Sequence, residues 1–395
     1  MGPGKWSLGR RTRDGLAAPG KLSENAGIVS IGRPKRKRWA FLAYIAGDND
    51  LSDNGLADIS ELCEVGSSDQ VHAAVQIDTQ GEHDGSIRYE ISGKDFENEA
   101  HRIVIQRLAE SNTGDPKVLR NFLAWGLKRY PADKTLVVIW GHGSGFRSVR
   151  RDVAVDDFGT SLNLPQISAA FAGAGVTGRK KIALLGFDAC LMNMIEIAHH
   201  LAPQVEVLVG SQQTEPGNGW PYDKVLATVL QDPTPPALGK AIVKEYMKSY
   251  QRAHEPDVTH SAIDLSQVDR AMAALSRLGK ALVPCVASQR NAIRAARDDT
   301  QSFEDAPDYL DLIHFCSLIG AKIPKVRPQA EALKSAVKQC LLAGSRYGTG
   351  VQHANGLSFW FPTSPQKYAE FRPKYRNLRM GSTQSGWVNL LDAFY

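Results

Sequence analysis

The sequence predicts an α/β fold: a mostly parallel sheet flanked by helices on both faces, with a helical C-terminal elaboration. Three observations predict it. The apolar runs 134–141, 181–189 and 205–212 lack polar alternation, as strands covered on both faces do. Segments of helical spacing separate them, giving strand–helix–strand alternation. Beyond residue 236 the pattern is mainly helical.

In order, structure begins at "RWAFLAYIAG" (38–47), an apolar strand ended by Gly47. Leu56, Ile59, Leu62 and Cys63 recur at helical spacing in 54–66. A strand follows at 71–78, then shorter alternating strands at 86–92 and 101–109, suited to an edge. Residues 115–131 form an amphipathic helix, opened by Asp115 and Pro116 and stopped by Pro131. Helices are expected at 164–173 and 191–201 between the central strands. Further helices are read at 236–252, 266–283 and 326–343, with strands at 261–265 and 356–362.

Charge divides the chain. Residues 1–38 hold ten Lys/Arg against Asp14 and Glu24, so of the +5 total the tail carries +8 and the remainder −3. Residues 1–37 read as a basic, disordered arm, and 38–395 as one domain with a core at 38–255 and an elaboration at 256–395. The mildly acidic body argues against nucleic acid as a partner. The run "RPKRKRW" keeps one competing reading, a nucleic-acid-associated protein using the arm. No apolar run reaches the ~18 residues of a membrane span. Arg10-Arg11 is not followed by an apolar segment, so a twin-arginine signal is rejected. The cytoplasm is the expected compartment, with a trimmed secretion signal as the alternative. The five cysteines form no C-x-x-C pair, so free thiols are expected.

In open parallel sheets, ligands bind beyond the carboxyl ends of strands. His142 follows the strand 134–141, and Cys190 follows 181–189. If those strands are neighbours, an imidazole and a thiol share one edge, which is the equipment of nucleophilic catalysis. Cys190 is expected to open a helix, whose N-terminus favours a thiolate. The glycines of "GHGSG" let backbone approach a substrate, and the N–H groups of Gly143 and Cys190 suit an oxyanion. Rival chemistries fail. A cysteine phosphatase wants arginine six residues after the cysteine, where Glu196 stands. No G-x-S-x-G, G-x-G-x-x-G or Walker pattern occurs in place.

With these residues in view, "VVIWGHGSGF" and "LLGFDACLMNMIE" resemble the clostripain family of cysteine peptidases, in the caspase-like clan. "AYIAGDNDL", "SQQTEPGNGWPYDKVL", "SAIDLSQVD", "DDTQSFEDAPDYLDLIHF" and "HANGLSFWFP" extend the likeness in order over about 38–395. The resemblance implies a caspase-like fold and peptide-bond hydrolysis, with His142 as general acid/base and Cys190 as nucleophile. It implies a preference for Arg or Lys at P1, the residue before the scissile bond, read by Asp188. A carboxylate at the pocket floor would pair with such a cation. Helix capping by Asp188 is the competing reading. Phe146 stands where tryptophan is expected, a change placed in the pocket wall. Self-cleavage is implied between the two blocks, where Arg147, Arg150 and Arg151 are candidates, with an ordinary surface loop as the alternative. An inactive caspase-like binding module is the alternative from another class.

The chemistry requires no cofactor, but calcium dependence is known in the family. Asp50, Ser52, Asn54, Gly55, Asp58 and Glu61 match the spacing of a calcium loop. A strand enters where an EF-hand needs a helix, so capping by Asp53 or Asn54 is the simpler expectation, and the metal ligands stay unknown.

Overall fold

The first strand, β1 (Lys37–Gly47), feeds two cores at once. Ala40, Leu42, Tyr44 and Ala46 join one, while Trp39, Phe41, Ala43 and Ile45 join the other. Side chains alternate across a strand, so a run without polar positions belongs where both faces are covered. This is a computed structural model, and it describes residues 35–80, 85–93, 102–146, 153–156, 159–304, 306–381 and 385–395.

After β1 come α1 (Ser52–Val65), β2 (Val71–Thr79), β3 (Ile87–Ile91), β4 (Arg102–Arg107) and α2 (Pro116–Arg129). Then β5 (Ala132–Trp140), α3 (Leu164–Gly173), β6 (Ile182–Asp188), α4 (Ile195–Leu201) and β7 (Val205–Gly210) continue the alternation. The remainder is α5 (Tyr222–Val229), α6 (Pro235–Ala253), β8 (Val258–Asp264), α7 (Val268–Leu282), α8 (Val286–Asp298), β9 (Ser302–Phe303) and β10 (Ala306–Asp311). It ends with α9 (Leu312–Lys322), α10 (Arg327–Cys340), β11 (Leu341–Tyr347), β12 (Ser358–Trp360), α11 (Pro365–Arg376) and α12 (Gly386–Phe394).

The large sheet has the order β11-β8-β7-β6-β5-β1-β2-β3-β4. The strands from β7 to β2 are parallel, and the outer pairs are antiparallel. The chain steps from β1 to β2, then returns to β5 on the other side of β1. Strand order reverses there, so a crevice opens beyond the carboxyl ends of β1 and β5. Helices α1, α5 and α6 cover one face. Helices α2, α3 and α4 share the other core with α7 to α12. The fold is the expected mostly parallel α-β-α sandwich with added C-terminal helices.

Differences from expectation have local causes. The helix expected at 191–201 begins only at Ile195. Residues before it form a turn, with Leu191 at φ 66°. The buried Asn193 amide donates to Gly210 O (3.2 Å) and Ser261 O (3.1 Å), which pins this segment across strand ends. The helix expected to 343 stops at Cys340, and 341–347 becomes an edge strand paired with β8. A half-exposed edge containing Gly344 gives little strand signal. β10 pairs with β9 and β12 in a separate small sheet, although Pro307 and Asp308 are poor strand formers. The large sheet runs across the boundary expected at 255/256, because β8 pairs with β7. All five cysteines are free thiols. No helix among the described residues is long and apolar enough to cross a membrane.

Candidate active site

Parallel pairing sets the height of the two key residues. Trp140 on β5 is the register partner of Asp188 on β6, and Gly141 N donates to Asp188 O at 3.2 Å. Two residues further along each chain are His142 and Cys190. The loops that hold them touch. A Cβ on Gly143 would fall 2.5 Å from Cys190 O and 2.9 Å from both Cys190 N and Ala189 Cβ. Only glycine permits that approach.

Each residue is fixed from a different side. His142 Nε2 lies 2.6 Å from Asp50 Oδ1, which sits just beyond β1. The Tyr309 hydroxyl donates to Ser144 O at 2.7 Å, tying the histidine loop to β10. Cys190 Sγ accepts from the backbone N–H of Glu215 at 3.2 Å. Leu191 N donates to Gln213 O and Asn193 N to Ser211 O, so the cysteine turn is stitched to the loop after β7. Cys190 was expected to open a helix, but a turn follows it and the helix starts only at Ile195. One directed backbone N–H, not a helix terminus, faces its sulfur.

Asp188 is buried, two residues before the cysteine. Its Oδ2 accepts from Trp220 N (3.0 Å) and the Tyr222 hydroxyl (2.8 Å). It does not cap the following helix, whose N-cap is Met194. Burial pushes its carboxyl up to about 6, although hydrogen bonds from its neighbours act in the opposite direction. Glu215, beside it, is raised well above the usual range by burial and then by the charge of Asp188. Asp58 on α1 is raised by the same two causes in the same order. Asp188, Glu215 and Asp58 thus share one buried, low-dielectric layer with Trp140, Trp220 and Tyr222.

Other sequence-marked residues go elsewhere. The calcium spacing does not form a binding loop: Ser52, Asn54, Gly55, Asp58 and Glu61 lie within α1. Asp50 holds His142, Asn54 Nδ2 donates to Gly217 O, and Glu61 accepts from Tyr222 N. Neither Asp53 nor Asn54 caps the helix, whose N-cap is Leu51 with no side-chain bond. No group of three or more His, Cys, Asp or Glu suited to a metal occurs among the described residues. Phe146 packs on Trp360 and Tyr375 at 5.4 and 5.2 Å, in an aromatic core and not in a pocket wall. Arg147, Arg150 and Arg151 lie outside the described residues. Sequence reading missed Asp50 as the neighbour of His142 and Glu215 as the neighbour of Cys190. The strand-end rule that marked His142 and Cys190 also marks Asp50, three residues beyond Gly47.

Residues 43–394 match the model of the Clostripain family. The chain belongs to the clostripain family. It is a cysteine-type endopeptidase of that family, with the caspase-like fold of its structural neighbours. Clostripain of Hathewaya histolytica is 23% identical over 432 residues, covering 91% of this chain and 80% of that protein. A secreted C11 cysteine protease from Bacteroides thetaiotaomicron, solved with an irreversible peptide inhibitor, superposes with a TM-score of 0.67 at 20% identity. That match covers 90% of this chain and 99% of the other. An inactive zymogen C11 protease from Parabacteroides distasonis gives a TM-score of 0.70 at 18% identity, covering 88% and 98%. In this clostripain-family chain the histidine and cysteine loops meet beyond the carboxyl ends of β5 and β6, one strand away from the strand-order reversal at β1.

Proposed function

We propose that the chain hydrolyses peptide bonds through a Cys190/His142 dyad and prefers arginine or lysine at P1. The observation that carries the reading is the contact of Gly143 with the Cys190 backbone, at the level set by the β5–β6 register. It brings a thiol and an imidazole to one sheet edge.

In this reading His142 takes the thiol proton and the sulfur attacks the peptide carbonyl. The imidazolium then hands its proton to the departing amine. Water, activated by the same imidazole, releases the acyl group. The N–H groups of Gly143 and Cys190 receive the oxyanion. Asp50 orients the ring and stabilises the imidazolium, the part the third residue plays in catalytic triads. The Glu215 N–H favours the thiolate. Asp188 attracts the basic side chain of the substrate.

Self-processing at Arg147, Arg150 or Arg151 is part of the proposal. It rests on those residues and on the zymogen state named for the Parabacteroides distasonis protein. A calcium requirement is left to a chelator test with calcium restored. Fluorogenic peptides with P1 Arg, Lys, Asp and Leu test the main reading. Cys190→Ala should be inactive. Asp188→Asn should lose the basic substrates selectively, and an unchanged P1 preference removes Asp188 from the pocket. Identical single bands for wild type and Cys190→Ala on electrophoresis rule out self-cleavage.

A further inference from the structure

The layer beside Cys190 and Asp188 holds buried polar groups whose hydrogen bonds are incomplete. The Glu215 side chain is 4% exposed and that of His260 is 0% exposed, with His260 Nε2 4.0 Å from Glu215 Oε1. Neither ring nitrogen of His260 has a hydrogen-bond partner, while the Glu215 carboxyl leans on the Asp188 carboxyl and the Trp220 indole in bonds that fall short of full geometry. The Tyr246 hydroxyl is likewise without a partner. These groups are neighbours. The His260 ring stacks on Tyr246 at 4.1 Å and meets the edge of Trp220 at 5.1 Å. An unmade bond of a buried polar group costs about 1–3 kcal/mol, so such clusters are normally completed by water or a ligand. Two carboxyls side by side in a buried aromatic layer share one proton while no cation is near, and an arriving cation can take that proton's place.

We infer that Glu215 is a second specificity-determining residue: its carboxyl, packed between His260 and Asp188, joins Asp188 in receiving the charged end of a basic P1 side chain. This rests on the proposed P1 preference and deepens it. The backbone of Glu215 lies against Cys190 Sγ, while its side chain reaches the Asp188 layer. One residue therefore spans from the reacting sulfur to the specificity layer. Burial and the charge of Asp188 both hold the Glu215 carboxyl toward its neutral form. An arriving guanidinium or ammonium supplies the missing opposite charge.

The test compares paired peptides with P1 arginine and P1 citrulline, which differ in charge and hardly in shape. Wild type should favour arginine. Glu215→Gln should cut that ratio by roughly tenfold or more. The rate of Cys190 alkylation by iodoacetamide reports an intact sulfur environment in the same samples. A wild type that does not separate arginine from citrulline sinks the P1 reading itself. A wild type that does, beside a Glu215→Gln protein that keeps the full ratio, sinks this inference and leaves Asp188 alone. A second variant covers failure of the first to fold. Glu215→Asp keeps the charge but draws it one methylene back toward a backbone that touches Sγ. The ornithine-to-lysine ratio at P1 should then rise about threefold, since a shorter side chain meets the retracted charge. An unchanged ratio overturns the inference.

Discussion

Asp50 Oδ1 and His142 Nε2 are 2.6 Å apart, although 92 residues separate them in sequence. One follows β1, the other β5, and these strands pair in parallel. The carboxylate faces the imidazole from the side of the strand-order reversal, and the cysteine loop lies on the side of β6. Asp50→Asn should keep the fold and lower kcat/KM by roughly ten- to a hundredfold through the loss of ring orientation and imidazolium stabilisation. Steady-state kinetics check it. Wild-type rates from a folded Asp50→Asn protein would assign the contact no role.

Gly143→Ala places a methyl group within 2.5 Å of Cys190 O. The two loops must move apart. Activity should fall about a hundredfold or more, because a displacement near 1 Å disturbs the attack geometry. Thermal unfolding should change little by comparison, since His142 and Cys190 are only partly buried. Kinetics and calorimetry on the same preparation decide.

Burial pushes the Asp188 carboxyl up to about 6. Below that pH the carboxyl is neutral; above it, the charge that the proposed P1 reading requires is present. The ratio of kcat/KM for P1 arginine over P1 leucine should therefore rise between about pH 5 and 7 in wild type. In Asp188→Asn the rise should shrink. An equal rise in both proteins would place the titration elsewhere.

Glu196 lies buried at the start of α4, accepting from Trp360 N (2.8 Å) and the Tyr375 hydroxyl (3.1 Å). Burial raises it from 4.5 to about 7, against those bonds. Between these values the folded protein holds a proton that the unfolded chain has released. Stability from this group is full at low pH and is lost as pH rises through 7, approaching ~3 kcal/mol. Glu196→Gln should gain on wild type over that window. Denaturant unfolding at the two ends of the window measures it; a constant difference contradicts the assignment.

Tyr309 is fully buried on β10 and holds Ser144 O. Tyr309→Phe should cost about 1 kcal/mol and reduce kcat/KM several-fold by loosening the histidine loop. Unaltered kinetics would show that the loop is held without this bond.

Much of the fold was legible locally. The double-sided apolar runs at 134–141 and 181–189 can exist only between two helical layers, so they announced the central strands. Asp115 was read as a helix cap, and its side chain does accept from Lys117 N with Pro116 in the first turn. The turn at 190–194 was not legible, because "LMNMIEIA" has helical spacing and its anchor, Asn193, bonds to strands 17 and 68 residues away. The edge strand at 341–347 was missed for a related reason: an edge is defined by its partner β8, not by its own hydrophobicity.

By itself the sequence determined which residues end the buried strands, because apolar periodicity is a local property and chemistry-bearing residues interrupt it. It therefore marked His142 and Cys190, and Asp188 came only from the resemblance to the family. Only the tertiary structure decided what surrounds them. Strand order put Asp50 on His142, and the loop after β7 put the Glu215 N–H on the sulfur and its carboxyl beside Asp188. Those contacts join segments far apart in the chain, and their strength comes from burial and proximity, which no local stretch of residues encodes.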